Sequence, residues 1–539
     1  MEGTAGGLGA IDWVIVVVYA LSTIGLGWFF SRKQQNIQEY FVGSGAMNPF
    51  LVGVSLFATL LSTISYLSMP GETIAKGPIQ TAAHICAYPI AYLFVSRLFL
   101  HLYMKHRVTS AYELLEERLG LGIRLFGSFM FIAMRLVWMS LLVYIAAKAM
   151  TIMLGVGDEW IPVVVLATGF VSVIYTSLGG LGAVVITDFL QASLLLGGAW
   201  LVIVLITWDL GSLSWFPTSW QPTWDTQPLF SIDPRVRVTL FGTVLSASIW
   251  QVCTAGGDQV SIQRFMSTRD ASSARRAYLT QMCTGTIVAT TLVLVGFALM
   301  GYFQERPHEL PSHLSLAANG DQIFPRFVSF HLPAGVTGLV VAAMFAAAMS
   351  SIDSGVNSIT AVVMTDFLGR FGLKPKSKKG HVRSAQLLAL AVGAIVVVGS
   401  SFIGQVPGNF MAMTQRTTNL LVTPLFGLFF FAMFVRFAKP AGVAIGAIYG
   451  IVTAILIAFS GSFYEILGAE AAIETTALSF QWISPLALCA NLIAGTLACW
   501  FIKSEDSTNR ILAKTALCLV PLLVWGGLIL AYPWIAPGA

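Results

Sequence analysis

Charge is scarce in this chain. Of its 539 residues, 10% are Asp, Glu, Lys or Arg, against about 25% in an ordinary soluble domain. A water-soluble globule of this length needs more charge than that, and a disordered chain does not carry 56% hydrophobic residues. The net charge of +5 is no nucleic-acid footprint, because the basic residues follow a membrane pattern described below. Cysteine is also sparse. Cys86, Cys253, Cys283, Cys489, Cys499 and Cys518 lie in apolar stretches without CxxC or metal spacing, which argues against a disulfide framework or a zinc site. There is no GxxxxGK[ST], no HExxH, no nucleophile elbow and no Cys/His cluster. Neither ATP-driven pumping by this chain nor an enzyme is expected. No small-residue cleavage site follows the basic flank of the first apolar run, so a cleavable signal peptide is not expected either.

Long apolar runs are what the chain has in abundance. A spanning helix needs about 20 mainly apolar residues. Fourteen stretches qualify, at roughly 11–30, 49–70, 79–103, 123–155, 160–178, 182–208, 237–260, 278–303, 332–366, 384–403, 408–435, 440–461, 482–502 and 513–535. The expected fold class is therefore an all-α polytopic membrane protein with 14 transmembrane helices. Lys and Arg accumulate on the cytoplasmic side. With the N-terminus outside, 20 of the 30 fall in inner loops, Arg264 among them, 5 in outer loops and 5 inside spans. Both termini are thus expected outside, in a plasma (inner) membrane protein.

Polar residues inside lipid are costly and mark function, and irregular backbone is tolerated only beside protein or a wet cavity. The second span carries Ser62, Thr63, Ser65 and Ser68 before Pro70-Gly71, and the seventh carries Gly256-Gly257 followed by Asp258 and Gln259. The two lie five spans apart, the relation expected of the first, discontinuous helices of two five-helix inverted repeats. Hydroxyls bonding back to their own helix, with glycines for packing, are the plainer reading of each segment.

In the ninth span Ala347, Ser350, Asp353 and Ser354 lie three or four apart on one helix face, with Ser351 beside them. Their oxygens suit a small hard cation, although a face of small residues also serves helix packing. In the sixth span Gly179-Gly180 make a turn and Asp188 follows two helical turns into the apolar part. A carboxylate there must be paired, protonated or bound to a cation. Arg135 lies near the middle of the fourth span. It either grips an anionic substrate or pairs with Asp188 or Asp353.

These stretches resemble the sodium/solute symporter family, from about residue 11 to 503. YTSLGGLGAVVITDFLQ looks like its fifth core helix, GGDQVSIQRFMS its sixth and AAMFAAAMSSIDSGVNSITAVVMTDF its eighth. The resemblance implies the leucine-transporter-type inverted-repeat fold. Residues 1–48 would form an extra N-terminal helix and loop, 49–208 the first repeat, 209–236 an external loop, 237–435 the second repeat and 436–539 three additional helices.

It also implies a secondary active symporter that couples inward sodium flux to uptake of a small organic solute by alternating access. The general sodium site would use the carbonyls of Ala58, Leu61 and Ala347 and the hydroxyls of Ser350 and Ser351. A second sodium site, present in some members, maps to Asp188, Ser350, Asp353 and Ser354. Relatives usually have a small hydroxyl residue at the position of Asp353, where a carboxylate either strengthens the site or brings a proton. Gly256, Gly257, Asp258 and Gln259 would form the helix break and gate.

For the solute, the resemblance to sialic acid carriers places Arg135 at a carboxylate-binding arginine, Leu60, Ser62 and Ser65 at first-helix positions, and His84 and Gln80 near a glutamine. Leu60 and His84 depart from that pattern. The expected solute bears a carboxylate, sialic acid-like or a monocarboxylate. The alternative is a neutral or zwitterionic solute (sugar, polyol, proline); a non-transporting sensor is a third reading. One charge crossing 100 mV is worth about 2.3 kcal/mol, so a monoanion needs a second sodium to draw on the membrane voltage. The expected partners are the solute, sodium ions and the lipid bilayer. Nucleic acid is not expected, and the sequence leaves the oligomeric state open.

Overall fold

The computed structural model describes residues 8–31, 41, 45–61, 63–106, 109–231, 233–373, 377–403, 410–467, 477–502 and 508–535. Among these residues the chain forms helices and connecting loops, with no strand. The helices are α1 (Ala10–Ser31), α2 (Pro49–Leu60), α3 (Thr63–Lys76) and α4 (Ile79–Phe94), the last running on through a π turn to His106. Next come α5 (Glu113–Leu119), α6 (Leu121–Leu154), α7 (Ile161–Leu210), α8 (Leu240–Gly257), α9 (Gln259–Met266) and α10 (Ala271–Glu305). The chain continues with α11 (Gly320–His331), α12 (Val336–Val362), α13 (Lys378–Ile403), α14 (Phe410–Phe434), α15 (Pro440–Ala458), α16 (Ser460–Ile466), α17 (Ile483–Phe501) and α18 (Thr508–Ile535).

Local chemistry sets several helix starts. Asn48 accepts from the Phe50 amide at 2.9 Å, with Pro49 opening α2; Thr239 accepts from Gly242 at 2.9 Å, and Asp270 from Ser273 at 2.8 Å. Each satisfies an amide that the first helical turn leaves without a partner. In α7 the helix bends at Gly180, whose φ of 60° is open to glycine and strained for other residues.

Among the described residues, ten helices are long and apolar enough to cross a membrane, or eleven if the bent pair α2–α3 counts as one span. Of α7, the part from Gly180 to Leu210 reaches that mark, while the apolar stretch Ala10–Leu26 of α1 is shorter. Helix α8 stands outside the count for a physical reason. It buries Thr243, Ser246, Ser248, Gln251 and Thr254, because much of its surface faces a polar interior rather than lipid.

The end of the bundle that carries the loops 209–239 and 304–335 is closed by aromatic and ionic packing. Trp224 donates to the Ile74 carbonyl at 3.2 Å. Arg237 forks onto the buried Glu72 carboxylate at 2.7 and 2.8 Å. At the opposite end, the fully buried Asp366 accepts from Ser110 (2.8 Å), Ser128 (2.5 Å) and Arg124 (2.5 and 3.1 Å). Arg124 in turn reaches Glu116 at 2.6 Å.

Candidate functional site

Two helices break midway, and the candidate site lies between the breaks. Leu61, at the end of α2, is extended (φ −84°, ψ 123°), and α3 leaves at 65° to α2. Asp258 separates α8 from α9 with a similar backbone (φ −96°, ψ 122°) and caps α9 by accepting from Val260 at 3.0 Å. Gly256 and Gly257 belong to α8 itself, and their role is close approach. A Cβ on Gly257 would stand 2.9 Å from the Phe426 Cα of α14, and one on Gly256 would stand 2.8 Å from the Phe426 ring. Gln259 ties the break to residues 109–111, accepting from Ala111 and donating to the Thr109 carbonyl, both at 2.7 Å.

The α2–α3 break packs against the small-residue face of α12. Ser351 donates to the Thr59 carbonyl at 3.0 Å, and Thr63 donates to the Met344 carbonyl at 2.9 Å. Ala58, Leu61, Ala347, Ser350 and Ser351 are all buried around this seam. The C-terminal end of a helix turns carbonyl oxygens, and the negative end of its dipole, toward the space beyond it.

A second cluster adjoins the first. Asp188, fully buried, accepts from Ser350 at 2.7 Å and from Ser55 at 2.5 Å. Ser354 lies 2.9 Å from the Thr59 hydroxyl. The structure thus brings Asp188, Ser350 and Ser354 together. Asp353 is fully buried one position earlier on α12, where the helical repeat sends its side chain off about 100° away from Ser354.

At the centre of this cluster is a residue that the topology count places in an inner loop. Arg264 is fully buried and pairs with Asp188 at 3.2 Å. It also donates to the Ser55 hydroxyl at 2.9 Å and to Ser354. Its loop placement is corrected for a simple reason: α9 runs straight on from the break, and all eight of its residues are buried. The available signal is its position six residues after the buried break at Asp258.

A cavity with about 120 Å³ of water-accessible space runs from the α2–α3 break toward the loop-bearing end. Leu60, Leu61 and Ser65 line it, with Gln80 and His84 opposite. Four further glutamines, Gln251, Gln281, Gln415 and Gln481, and the hydroxyls of Ser68, Thr81, Thr243 and Ser246 share the wall. No Asp, Glu, Lys or Arg is among its described lining residues. The His84 Nδ1 proton is committed to the Gln80 carbonyl at 2.8 Å, so its Nε2 is an acceptor in the neutral ring. Ser62 falls outside the described residues.

Arg135 is one layer behind this wall. It pairs with Asp258, a partner other than the two carboxylates the sequence suggested. Arg135 and Asp258 line a smaller cavity of about 30 Å³, whose Leu60, Trp138, Trp250 and Thr418 also line the large one. Three buried donors there find no hydrogen-bond partner among the described residues: Arg135 Nε, Trp138 Nε1 and Thr254 Oγ1. One water-sized group needs roughly 10–15 Å³, so the space suits the two oxygens of a carboxylate.

Broken helices meeting around buried oxygens, beside a polar cavity, define an ion-coupled membrane carrier. Comparison with known proteins makes this specific. The sodium:solute symporter family model matches residues 40–451, and the chain belongs to that family. The sodium/sialic acid symporter SiaT of Proteus mirabilis is 28% identical, across 88% of this chain and 96% of that one. The sodium/sialic acid symporter NanT of Aliivibrio fischeri is also 28% identical, across 86% and 92%. A solved Na+-coupled sialic acid symporter, in a substrate-bound outward-open state, superposes with a TM-score of 0.72 at 24% identity, covering 92% of this chain and 98% of that one. The fold is that transporter's fold. The protein is a multi-pass membrane transporter that carries a solute together with sodium, and it is not an enzyme.

Proposed function

We propose that this symporter takes up a small organic solute bearing a carboxylate, driven by inward sodium flux. The observation that carries this reading is the trio of unsatisfied donors, Arg135 Nε, Trp138 Nε1 and Thr254 Oγ1, on a small cavity that shares four walls with the large one. A buried donor without an acceptor costs about 1–3 kcal/mol, and a carboxylate supplies acceptors to all three. The rest of the solute lies along the glutamines and hydroxyls of the large cavity, with Leu60, Ser65, Gln80 and His84 around it. The names of the relatives support a sialic acid-like solute.

Sodium binds at the end of α2, to the carbonyls of Ala58, Leu61 and Ala347 and the hydroxyls of Ser350 and Ser351. The contact of Ser351 with the Thr59 carbonyl supports this assignment. The cavity's reach toward the loop-bearing end, and the packed Asp366 cluster at the other, support an outward-facing state in which the loops 209–239 and 304–335 are external. In this reading fourteen spans cross the membrane with both termini outside. Two inverted repeats (49–208 and 237–435) follow an extra helix in 1–48, are joined by the loop 209–236 and precede three helices in 436–539. Gly256 to Gln259 form the break at which the second repeat opens and closes.

A neutral polyhydroxylated solute is the second reading, favoured by the pairing of Arg135 with Asp258, which leaves no net charge at the site. Uptake into proteoliposomes decides between them. N-acetylneuraminate and its amide are compared in sodium and in choline buffer. Sodium-dependent uptake of the acid, with the amide at least tenfold weaker, is expected. Equal uptake of acid and amide would favour the neutral solute, and equal uptake in both buffers would exclude sodium coupling for these solutes.

A further inference from the structure

We propose that the short segment 478–482, between α16 and α17 and outside the two proposed repeats, forms the outer wall of the solute site, and that Phe480 limits the size of the group a solute can carry at its end remote from the carboxylate. Phe480 and Gln481 both line the large cavity. Neither lines the small cavity around Arg135. The Phe480 ring centre lies 5.5 Å from the Arg237 guanidinium, which forks onto Glu72 at the loop-bearing end. A solute whose carboxylate takes the small cavity, the reading on which this proposal rests, therefore points its other end at Phe480.

A size limit needs a wall that stays in place, and this one is tied on both sides. Ser479 donates its amide to the Pro234 carbonyl at 2.8 Å and its hydroxyl to the Arg237 carbonyl at 2.5 Å. Gln481 accepts at Oε1 from the Thr239 amide (3.0 Å) and hydroxyl (3.2 Å), and donates from Nε2 to the Val236 carbonyl at 2.9 Å. A Cβ on Gly242 would stand 2.5 Å from that Oε1, so glycine lets α8 come this close. Leu478 donates its amide to Ser460 Oγ at 3.0 Å, which fixes the segment to α16. Between these anchors the Phe480 ring is buried in one cluster with Val238, Ile457 and Ile483. Added volume meets resistance in such packing.

The two residues have different roles. The side-chain oxygen of Gln481 and one of its amide protons are committed to 236–239, so Gln481 is a positioning residue for the ring. Phe480 has no hydrogen-bonding group in its side chain. A polar extension pressed against it gives up water without gaining a partner, which is costly, and a bulky one meets a ring that cannot swing aside.

Uptake into proteoliposomes tests this with N-acetylneuraminate and its derivative carrying a bulky acyl group on the terminal hydroxyl of the tail, each as acid and as amide. In wild type the half-saturating concentration is expected to be at least tenfold higher for the acylated solute. Phe480→Ala should bring that ratio to within threefold and leave half-saturation by sodium unchanged. Gln481→Met, which drops both ties to 236–239 and keeps the ring, should lower the ratio as well. Equal handling of the two solutes by wild type, or a tenfold ratio kept by a monodisperse Phe480→Ala protein, would overturn the proposal. Failure of the carboxylate reading shows differently: acid and amide would be taken up alike, while the effect of the acyl group would still report on the wall. One arm needs no transported solute. Phe480→Cys should react with a charged methanethiosulfonate reagent above the background of the six native cysteines, and no added reaction would place Phe480 outside the wall. If Phe480→Ala does not fold, Phe480→Leu and the thiol reaction still decide.

Discussion

Ser351 of α12 hands its hydroxyl proton to the carbonyl of Thr59 across 3.0 Å. The contact joins the last turn of α2 to a helix nearly 300 residues later in the chain. It can form because Ala347, Ser350 and Ser351 keep that face of α12 low enough for the α2 backbone to reach it. The same contact lets either helix sense whether the other is in place, which a coupling ion requires.

Ser351→Ala therefore removes a proposed ligand without filling or emptying much space. The half-saturating sodium concentration for uptake should rise at least tenfold, about 1.4 kcal/mol, while the maximal rate at saturating sodium is largely kept. Uptake titrated against sodium at fixed total ionic strength measures this. An unchanged half-saturation would remove Ser351 from the sodium shell.

Much of this site could be read from the sequence, for identifiable reasons. Hydroxyls three and four apart on an apolar helix, with a carboxylate beside them, have few uses in lipid, so the α12 face stood out. A break at Asp258 was visible as glycines followed by polar residues. What could not be read was pairing across helices. The sequence offers Arg135 a solute, Asp188 or Asp353 as its partner, yet it pairs with Asp258, because the register between α6 and α8 is a matter of packing. Arg264 counts as a topology charge in the sequence, since a count of basic residues cannot tell an arginine turned into the bundle from one turned toward a head group. Asp366 with Arg124 was missed likewise: each sits near a span end, where an isolated charge is unremarkable.

The pairing of Arg135 with Asp258 makes Asp258 a competitor for an incoming carboxylate. Asp258→Asn keeps an acceptor for the Val260 amide, because asparagine caps helices as well as aspartate does, but it withdraws the negative charge. Affinity for a carboxylate solute should rise about tenfold, or about 1.4 kcal/mol, with no comparable gain for the amide. Arg135→Ala should abolish the distinction between acid and amide. Solute-induced thermal shifts with both ligands check this, and equal gains for acid and amide would show that Asp258 acts only on the backbone.

Gly257 tests the geometry of the second break independently of any ligand. A methyl group there meets the Phe426 backbone at 2.9 Å, and backbone cannot swing aside as a side chain can. Gly257→Ala should cost about 1–3 kcal/mol and lower the apparent melting temperature by several degrees. Gly182, around which a Cβ would meet nothing within 4 Å, is the control, and Gly182→Ala should leave melting nearly unchanged. Equal effects would mean that α8 and α14 approach less closely than described.

At the loop-bearing end, Asp321 ties α11 to the first residue of α14, accepting from the Phe410 amide at 2.8 Å. Burial raises its carboxyl from 3.8 to about 7, against the pull of that amide. The neighbouring Glu72 raises it further, and Arg237 opposes the rise. Between those two values the folded protein holds a proton that the unfolded chain releases, so stability falls as pH rises through that window and levels off above about 7. The apparent melting temperature should therefore decline from pH 5 to pH 8. Asp321→Asn cannot ionise yet still offers an oxygen to Phe410, so it should flatten that slope and gain most over wild type at the alkaline end. A slope unchanged by the substitution would move the titrating group elsewhere. Because Asp321 bridges α11 and α14 beside the cavity mouth, the same substitution should also reduce the pH dependence of solute uptake, which melting curves alone would not reveal.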